Sequence, residues 1–195
     1  MRIIAGRHRG RRLEAPEGLA VRPTGERARE ALFDILAHGR FAERPVFEDA
    51  LVLDAFAGTG ALGLEALSRG ARFATFLEQD RAARAALARN IAALGEGPHT
   101  QVIGGDALHP PRATGPCTLA FLDPPYREPM AAPALTALAA TGWFAPDALI
   151  VLELAARTPF APLAGFTLLE ERRYGAAKIV FLRCASFDYA ALRSG

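Results

Sequence analysis

The 195-residue sequence has two cysteines, four histidines, one tryptophan and, among 23 cationic residues, a single lysine. Cys117 and Cys184 stand alone without metal-binding spacing, so reduced, buried thiols are expected. His8, His38, His99 and His109 are scattered in the same way, and no metal is expected. No apolar run approaches the roughly 20 residues that cross a bilayer. The basic first residues lack a following apolar stretch and a small-residue cleavage site, so a soluble cytoplasmic protein is expected; a monomer is expected separately. With 51% hydrophobic residues the chain can bury a full core.

The near-absence of lysine makes arginine the default cation, which explains its choice but not its clustering. Residues 1–30 carry eight arginines against four glutamates, a local charge of +4 in a chain whose total is +2. Phosphate neutralisation dominates nucleic-acid affinity, and guanidinium groups bind phosphate bidentately. RNA contact is therefore expected from Arg7, Arg9, Arg11, Arg12, Arg22, Arg27 and Arg29, with Thr24 in the same block. Arg2 to Ile4 and Arg11 to Leu13 suggest a short hairpin with an arginine-loaded tip. Thr24 is placed to cap a helix that buries Ala28, Leu32, Ile35 and Leu36 and leaves Arg27 and Arg29 off that stripe. Residues 40–49 read as a polar linker. Residues 1–40 thus form a basic hairpin-and-helix extension, and residues 41–195 a second, larger unit.

That larger unit alternates strand and helix signals. Leu51 to Leu53 is a buried-strand run, Gly58, Gly60 and Gly63 spell G-x-G-x-x-G, and a helix begins at Ala61. Strand, glycine loop and helix form a nucleotide-binding unit. A dinucleotide would place its pyrophosphate where the carboxylate of Asp54 repels it. S-adenosylmethionine brings an ammonium, a carboxylate and a sulfonium, and its mixed charge suits an acid at that position. Phe56, Gly58, Thr59 and Gly60 then hold the donor's amino-acid end with Asp54. Glu78, with Gln79 behind it, ends the next strand 20 residues after Gly58 and can accept both ribose hydroxyls. Asp106, followed by Ala107, ends a third run and suits the adenine amino group, although an aspartate there also suits a helix N-cap.

Asp123, Pro124, Pro125 and Tyr126 follow the apolar run Thr118 to Leu122. An exocyclic base amine attacks a methyl donor only when acceptors hold its hydrogens and let nitrogen pyramidalise. Asp123 offers a carboxylate, and prolines present carbonyls without a competing N–H. Tyr126 offers a stacking face worth roughly 1–3 kcal/mol.

The segments D-A-F-A-G-T-G-A-L-G-L-E-A-L-S-R-G-A (Asp54 to Ala71) and D-P-P-Y resemble those of RsmD, the bacterial 16S rRNA guanine-N2 methyltransferase family. R-I-I-A-G-R-H-R-G-R-R-L (Arg2 to Leu13) and R-P-T-G-E-R-A-R-E-A-L-F (Arg22 to Phe33) resemble that family's two leading signatures. Ala5 stands where the family usually has glycine, Thr59 where serine is common and Arg12 where lysine is frequent. The resemblance implies a Rossmann-like class I methyltransferase: a three-layer α/β sandwich with a mostly parallel seven-stranded sheet and an antiparallel last strand. It implies methyl transfer from S-adenosylmethionine, with S-adenosylhomocysteine as product, to a guanine of 16S rRNA in the small subunit or an assembly intermediate. Two alternatives remain at this stage. One is an adenine-N6 amine methyltransferase. The other is a non-catalytic RNA-binding assembly protein, which would be expected to have lost Asp54, Glu78 and Asp106. Glu153 can shape the base pocket, Lys178 can meet phosphate or solvent, and Trp143 reads as a core anchor.

Overall fold

The computed structural model describes residues 1–15, 23–39, 41, 45–125, 130–161 and 163–185, with backbone alone for 23–26. Its elements run α1 (Pro23–His38), β1 (Leu51–Ala55), α2 (Ala61–Ser68), β2 (Phe73–Glu78), α3 (Arg81–Leu94), β3 (Thr100–Gly104), β4 (Cys117–Leu122), α4 (Ala131–Ala140), β5 (Phe144–Ala155), β6 (Phe166–Tyr174) and β7 (Ala177–Cys184). The seven strands form one sheet in the order β3-β2-β1-β4-β5-β7-β6. The first five are mutually parallel, and β7 runs antiparallel to both β5 and β6. From β1 the chain proceeds outward to β2 and β3, then returns to β4 on the other side. Helices leave in opposite directions at that reversal, so a crevice opens at the carboxyl ends of β1 and β4.

Strand alternation divides the core between the two faces of the sheet. Val52, Leu119, Phe121 and Val151 face one cluster with Leu64 and Leu67 of α2 and Leu87 and Ile91 of α3. Leu53, Ala120, Leu122 and Leu152 face the other with Leu135 and Leu138 of α4. Trp143 anchors this second cluster and donates its indole N–H to Pro111 O at 2.9 Å. Cys117 and Cys184 are free and buried there. Burial raises both thiols, Cys184 to about 11, which keeps them protonated and unreactive.

Arg2 and Arg12 form an antiparallel bridge, and Ile3 N–H donates to Arg11 O at 2.9 Å, so the expected hairpin is present. Ile3 and Leu13 are buried in the first cluster beside α2 and α3 residues. Described residues on both sides of the boundary expected at residue 40, Leu32, Phe33 and Leu36 before it and Phe41 and Phe47 after it, pack in that one cluster. Phe41 stacks on Phe181 with centroids 4.7 Å apart, and Phe47 on Phe33 at 5.7 Å. The described part of the 40–49 stretch therefore anchors to the core through its rings, rather than linking as a polar tether.

Three local expectations are corrected. Helix α1 begins at Pro23, so Thr24 lies in its first turn instead of capping it; proline is favoured there because its missing N–H would lack a partner anyway. Arg29 is buried, not off the apolar stripe, and donates to Arg2 O at 2.6 Å. Lys178 is only 3% exposed and pairs with Glu171 at 3.1 Å, so it is an internal ion-pair partner. Among the described residues, no helix is long and apolar enough to cross a membrane.

Candidate active site

Between β1 and α2 the backbone turns through three left-handed residues, Phe56 (φ 62°), Gly58 (φ 55°) and Gly60 (φ 81°). Two glycines are demanded by packing. A Cβ on Gly60 would lie 2.3 Å from Leu87 Cδ1, and one on Gly63 2.4 Å from Phe76 Cε1. Gly58 differs, because a Cβ there would meet nothing within 4 Å. Its bare backbone opens onto space that suits a closely held ligand. Phe56 adopts a conformation that costs a non-glycine residue roughly 1–3 kcal/mol, strain of a kind concentrated at ligand sites.

Two carboxylates hold this loop. Asp54 accepts the Gly63 N–H at 2.8 Å, while Glu78 accepts the Gly58 N–H at 2.7 Å and the Asp80 N–H at 2.7 Å. Glu78 thus joins the tip of β2 to the loop after β1 and is almost fully buried. Asp54 is 1% exposed. Burial pushes its carboxyl up to about 8, against the lowering effect of the Gly63 N–H and with further help from the charge of Glu78.

Asp54, Phe56, Gly58, Thr59 and Asp123 line one cavity of about 250 Å³, which Met1 and Ala15 also line. Asp123 follows β4 directly, and the β1–β4 register pairs Ala55 with Leu122. The donor-side and acceptor-side acids expected from sequence therefore flank the same crevice. Glu153 is the next residue after the Leu122–Leu152 pair on β5. Asp123 is exposed to the cleft, and desolvation by the cleft walls, followed by the charges of Glu153 and Asp54, raises its carboxyl above the usual range. Water in the cleft moderates the size of that rise, not its direction. Pro124 is buried and Pro125 exposed; Tyr126 lies outside the described residues.

Asp106 accepts the Leu108 N–H at 2.9 Å and pairs with His109 at 3.0 Å. The backbone donor first, and His109 with it, holds its carboxyl below the ordinary value. It begins a turn, not a helix. Ala107 is buried behind it, and Gln79 is exposed beyond Glu78.

The arginines divide. Arg9, Arg12 and Arg27 are exposed. Arg7 pairs with Glu96 at 2.6 Å, and Arg11 donates to Ala93 O at 2.6 Å. Arg22 and the Thr24 side chain lie outside the described residues. Sequence reasoning missed the polar groups that receive the hairpin. Glu65 accepts the Ile4 and Ala5 N–H groups, and Ser68 Oγ donates to Ala5 O and accepts the His8 N–H. Asn90 bridges Glu14 to Thr59, accepting Glu14 N–H and donating to the carbonyls of Glu14 and Thr59. Glu96 gathers Arg7, His8 and His99; burial raises its carboxyl, but these partners together lower it below the ordinary value.

The sheet order with its inserted antiparallel strand, the glycine loop and the acids at successive strand ends define a class I S-adenosylmethionine-dependent methyltransferase. Comparison with known proteins agrees. The model of the family described as conserved hypothetical protein 95 matches residues 1–183. Ribosomal RNA small subunit methyltransferase D of Escherichia coli K12 is 44% identical over 154 residues, covering 78% of this chain and 74% of the relative. The protein of that name from Haemophilus influenzae is 37% identical over 179 residues, covering 90% and 89%. The solved structure of E. coli yhhF superposes with a TM-score of 0.81 at 38% identity, covering 96% of this chain and 99% of that one. The chain belongs to this family, RsmD.

Proposed function

We propose that the protein transfers a methyl group from S-adenosylmethionine to the exocyclic N2 amine of a guanine in 16S rRNA, presented by the small subunit or an assembly intermediate. The observation that carries this reading is the single cavity lined by both Asp54 and Asp123. The open space over Gly58 and the carboxyl of Asp54, which a cationic donor draws toward its ionised form, fit the amino-acid end of the donor, held also by Phe56, Thr59 and Gly60. Glu78, with Gln79, takes the ribose, and Asp106, with Ala107, the adenine. When bound, the donor supplies a methyl carbon already activated by its sulfonium.

The protein's own work is alignment and charge placement. Asp123 and the carbonyl of Pro124 accept the hydrogens of the amine and orient its lone pair, Pro125 shapes the turn, and Tyr126 stacks on the base. As the C–N bond forms and the S–C bond breaks, positive charge develops on nitrogen beside Asp123. The carboxylate stabilises it until the extra proton leaves to solvent water, with S-adenosylhomocysteine as the other product. No metal is needed for this chemistry. A base inside a duplex would not reach the cleft, so the target is looped or flipped out. The names of the relatives support a ribosomal RNA substrate, and with it a cytoplasmic location.

Mass spectrometry of rRNA nucleosides from cells with and without the protein tests the reading. Loss of N2-methylguanosine from small-subunit RNA is expected. Loss of N6-methyladenosine instead would move the enzyme to the adenine class, and no change in any nucleoside would remove the catalytic reading.

A further inference from the structure

A second cavity, of about 230 Å³, lies between the hairpin and α1 and is lined by Arg2, Arg9, Arg29 and Glu30 together with Gly10. Among the described residues three arginines and one glutamate line it beside Ile3 and Ile4, and a concave wall with excess charge of one sign focuses its field on whatever enters. Arg29 is held in place by its bonds to Arg2 O at 2.6 Å and to Met1 Sδ at 3.1 Å, so part of the ordering cost of binding has been met before a ligand arrives. Arg2 and Arg9 are exposed. Their neighbours Arg7 and Arg11 are engaged with Glu96 and the Ala93 carbonyl, so the hairpin's charge divides into a docking set and a set around this cavity. Among the described residues, the lining contains no aromatic ring on which a base could stack. Guanidinium forks instead match the paired oxygens of a phosphate.

We infer that this cavity binds a phosphate group of the substrate RNA backbone, close along the strand to the base being methylated. The inference rests on the reading of the substrate as RNA. Its nearness to the donor site follows from the chain itself: Met1 lines the donor cavity and Arg2 the basic one, and adjacent Cα atoms are about 3.8 Å apart. A phosphate seated here would fix the strand beside the crevice while the base turns toward Asp123. It would also explain why the hairpin is clamped so firmly to α2 and α3, since a phosphate anchor sets register only if it does not move relative to the donor.

The test uses the full chain with Arg2→Gln and Arg9→Gln combined, leaving Arg29 in place because it holds the Arg2 carbonyl. A second variant, Arg112→Gln with Arg157→Gln, removes two exposed arginines elsewhere and controls for overall charge. Calorimetry measures S-adenosylmethionine affinity, and binding of a 16S rRNA transcript is followed across salt concentration. The cavity variant should keep the wild-type donor affinity, bind RNA about tenfold more weakly at low salt, and show a log-log salt slope shallower by about 0.7–0.9, the value for one lost phosphate contact. The control should keep the wild-type slope. An unchanged slope in the cavity variant, or an equal loss in both variants, would overturn the inference. Reduced donor affinity with unchanged RNA binding would also overturn it, by making the arginines supports of the donor site. A wild-type protein that binds no RNA would remove the functional reading beneath the inference, a failure distinguishable from that of the cavity alone.

Discussion

Glu65, which has no exposed surface, accepts the backbone N–H of Ile4 at 2.7 Å and that of Ala5 at 3.0 Å. Arg69 completes its surroundings at 2.7 Å. The same helix α2 begins at the donor loop, so the hairpin is bonded to the element that shapes the donor cavity. Removing the carboxylate leaves two backbone donors and a guanidinium without their partner.

Glu65→Ala should therefore lower the unfolding free energy by about 3–5 kcal/mol, the range for breaking a buried charged pair, as read from urea denaturation. Deleting Met1 to Leu13 should be similarly damaging and should weaken donor binding as well, because Met1 lines that cavity. A truncated chain with wild-type stability and donor affinity would show that the hairpin is an independent attachment.

Asp54 predicts a proton linkage. Its carboxyl lies near 3.8 when the chain is unfolded and at about 8 in the fold, so between those values the folded protein holds a proton that the unfolded chain releases. The associated stability is complete below pH 3.8 and is lost as pH rises toward 8, at up to about 1.4 kcal/mol per pH unit. A cationic donor beside Asp54 favours its ionised form, so donor binding at neutral pH should release a fraction of a proton. Calorimetry in buffers of different ionisation enthalpy measures this directly. The release should vanish in Asp54→Asn, and a buffer-independent enthalpy in the wild type would show that Asp54 does not sense the donor's charge.

Asp123 separates chemistry from donor binding. Asp123→Ala should lower turnover by about 10²–10³, the range for losing one preorganised electrostatic group, while donor affinity changes little. Because enclosure and neighbouring acids raise its carboxyl, turnover in the wild type should climb with pH as the group ionises. Near-normal turnover in the variant would reduce D-P-P-Y to a turn.

Much of the sheet could be read from apolar runs, because parallel strands buried on both faces are apolar nearly throughout. Where that signal weakened, so did the reading. Strand β5 begins at Phe144, well before its continuous apolar run from Ala148 to Leu152, although Pro146 and Asp147 read as breakers, and a register shift between Cys117 and Leu119 accommodates them. Strand β6 continues past Glu170 to Tyr174 through charged residues, which an edge strand tolerates on its exposed surface.

The acids at the strand ends stood out because each follows an apolar run. Glu65 and Asn90 did not, although both occupy the buried sides of their helices. A polar residue at an apolar-face position can be a packing error, a ligand group or a receptor for another segment. Only the fold shows that these two receive the hairpin.

The last strand also has a consequence in time. Strand β7 lies between β5 and β6, so β5 has no partner on that side until residues 177–184 exist. Chains grow at about 5–20 residues per second, which leaves an apolar edge unpaired for several seconds of synthesis. Completion of the sheet therefore awaits residues 177–184, and premature stops before residue 177 should yield sticky fragments instead of partial enzymes.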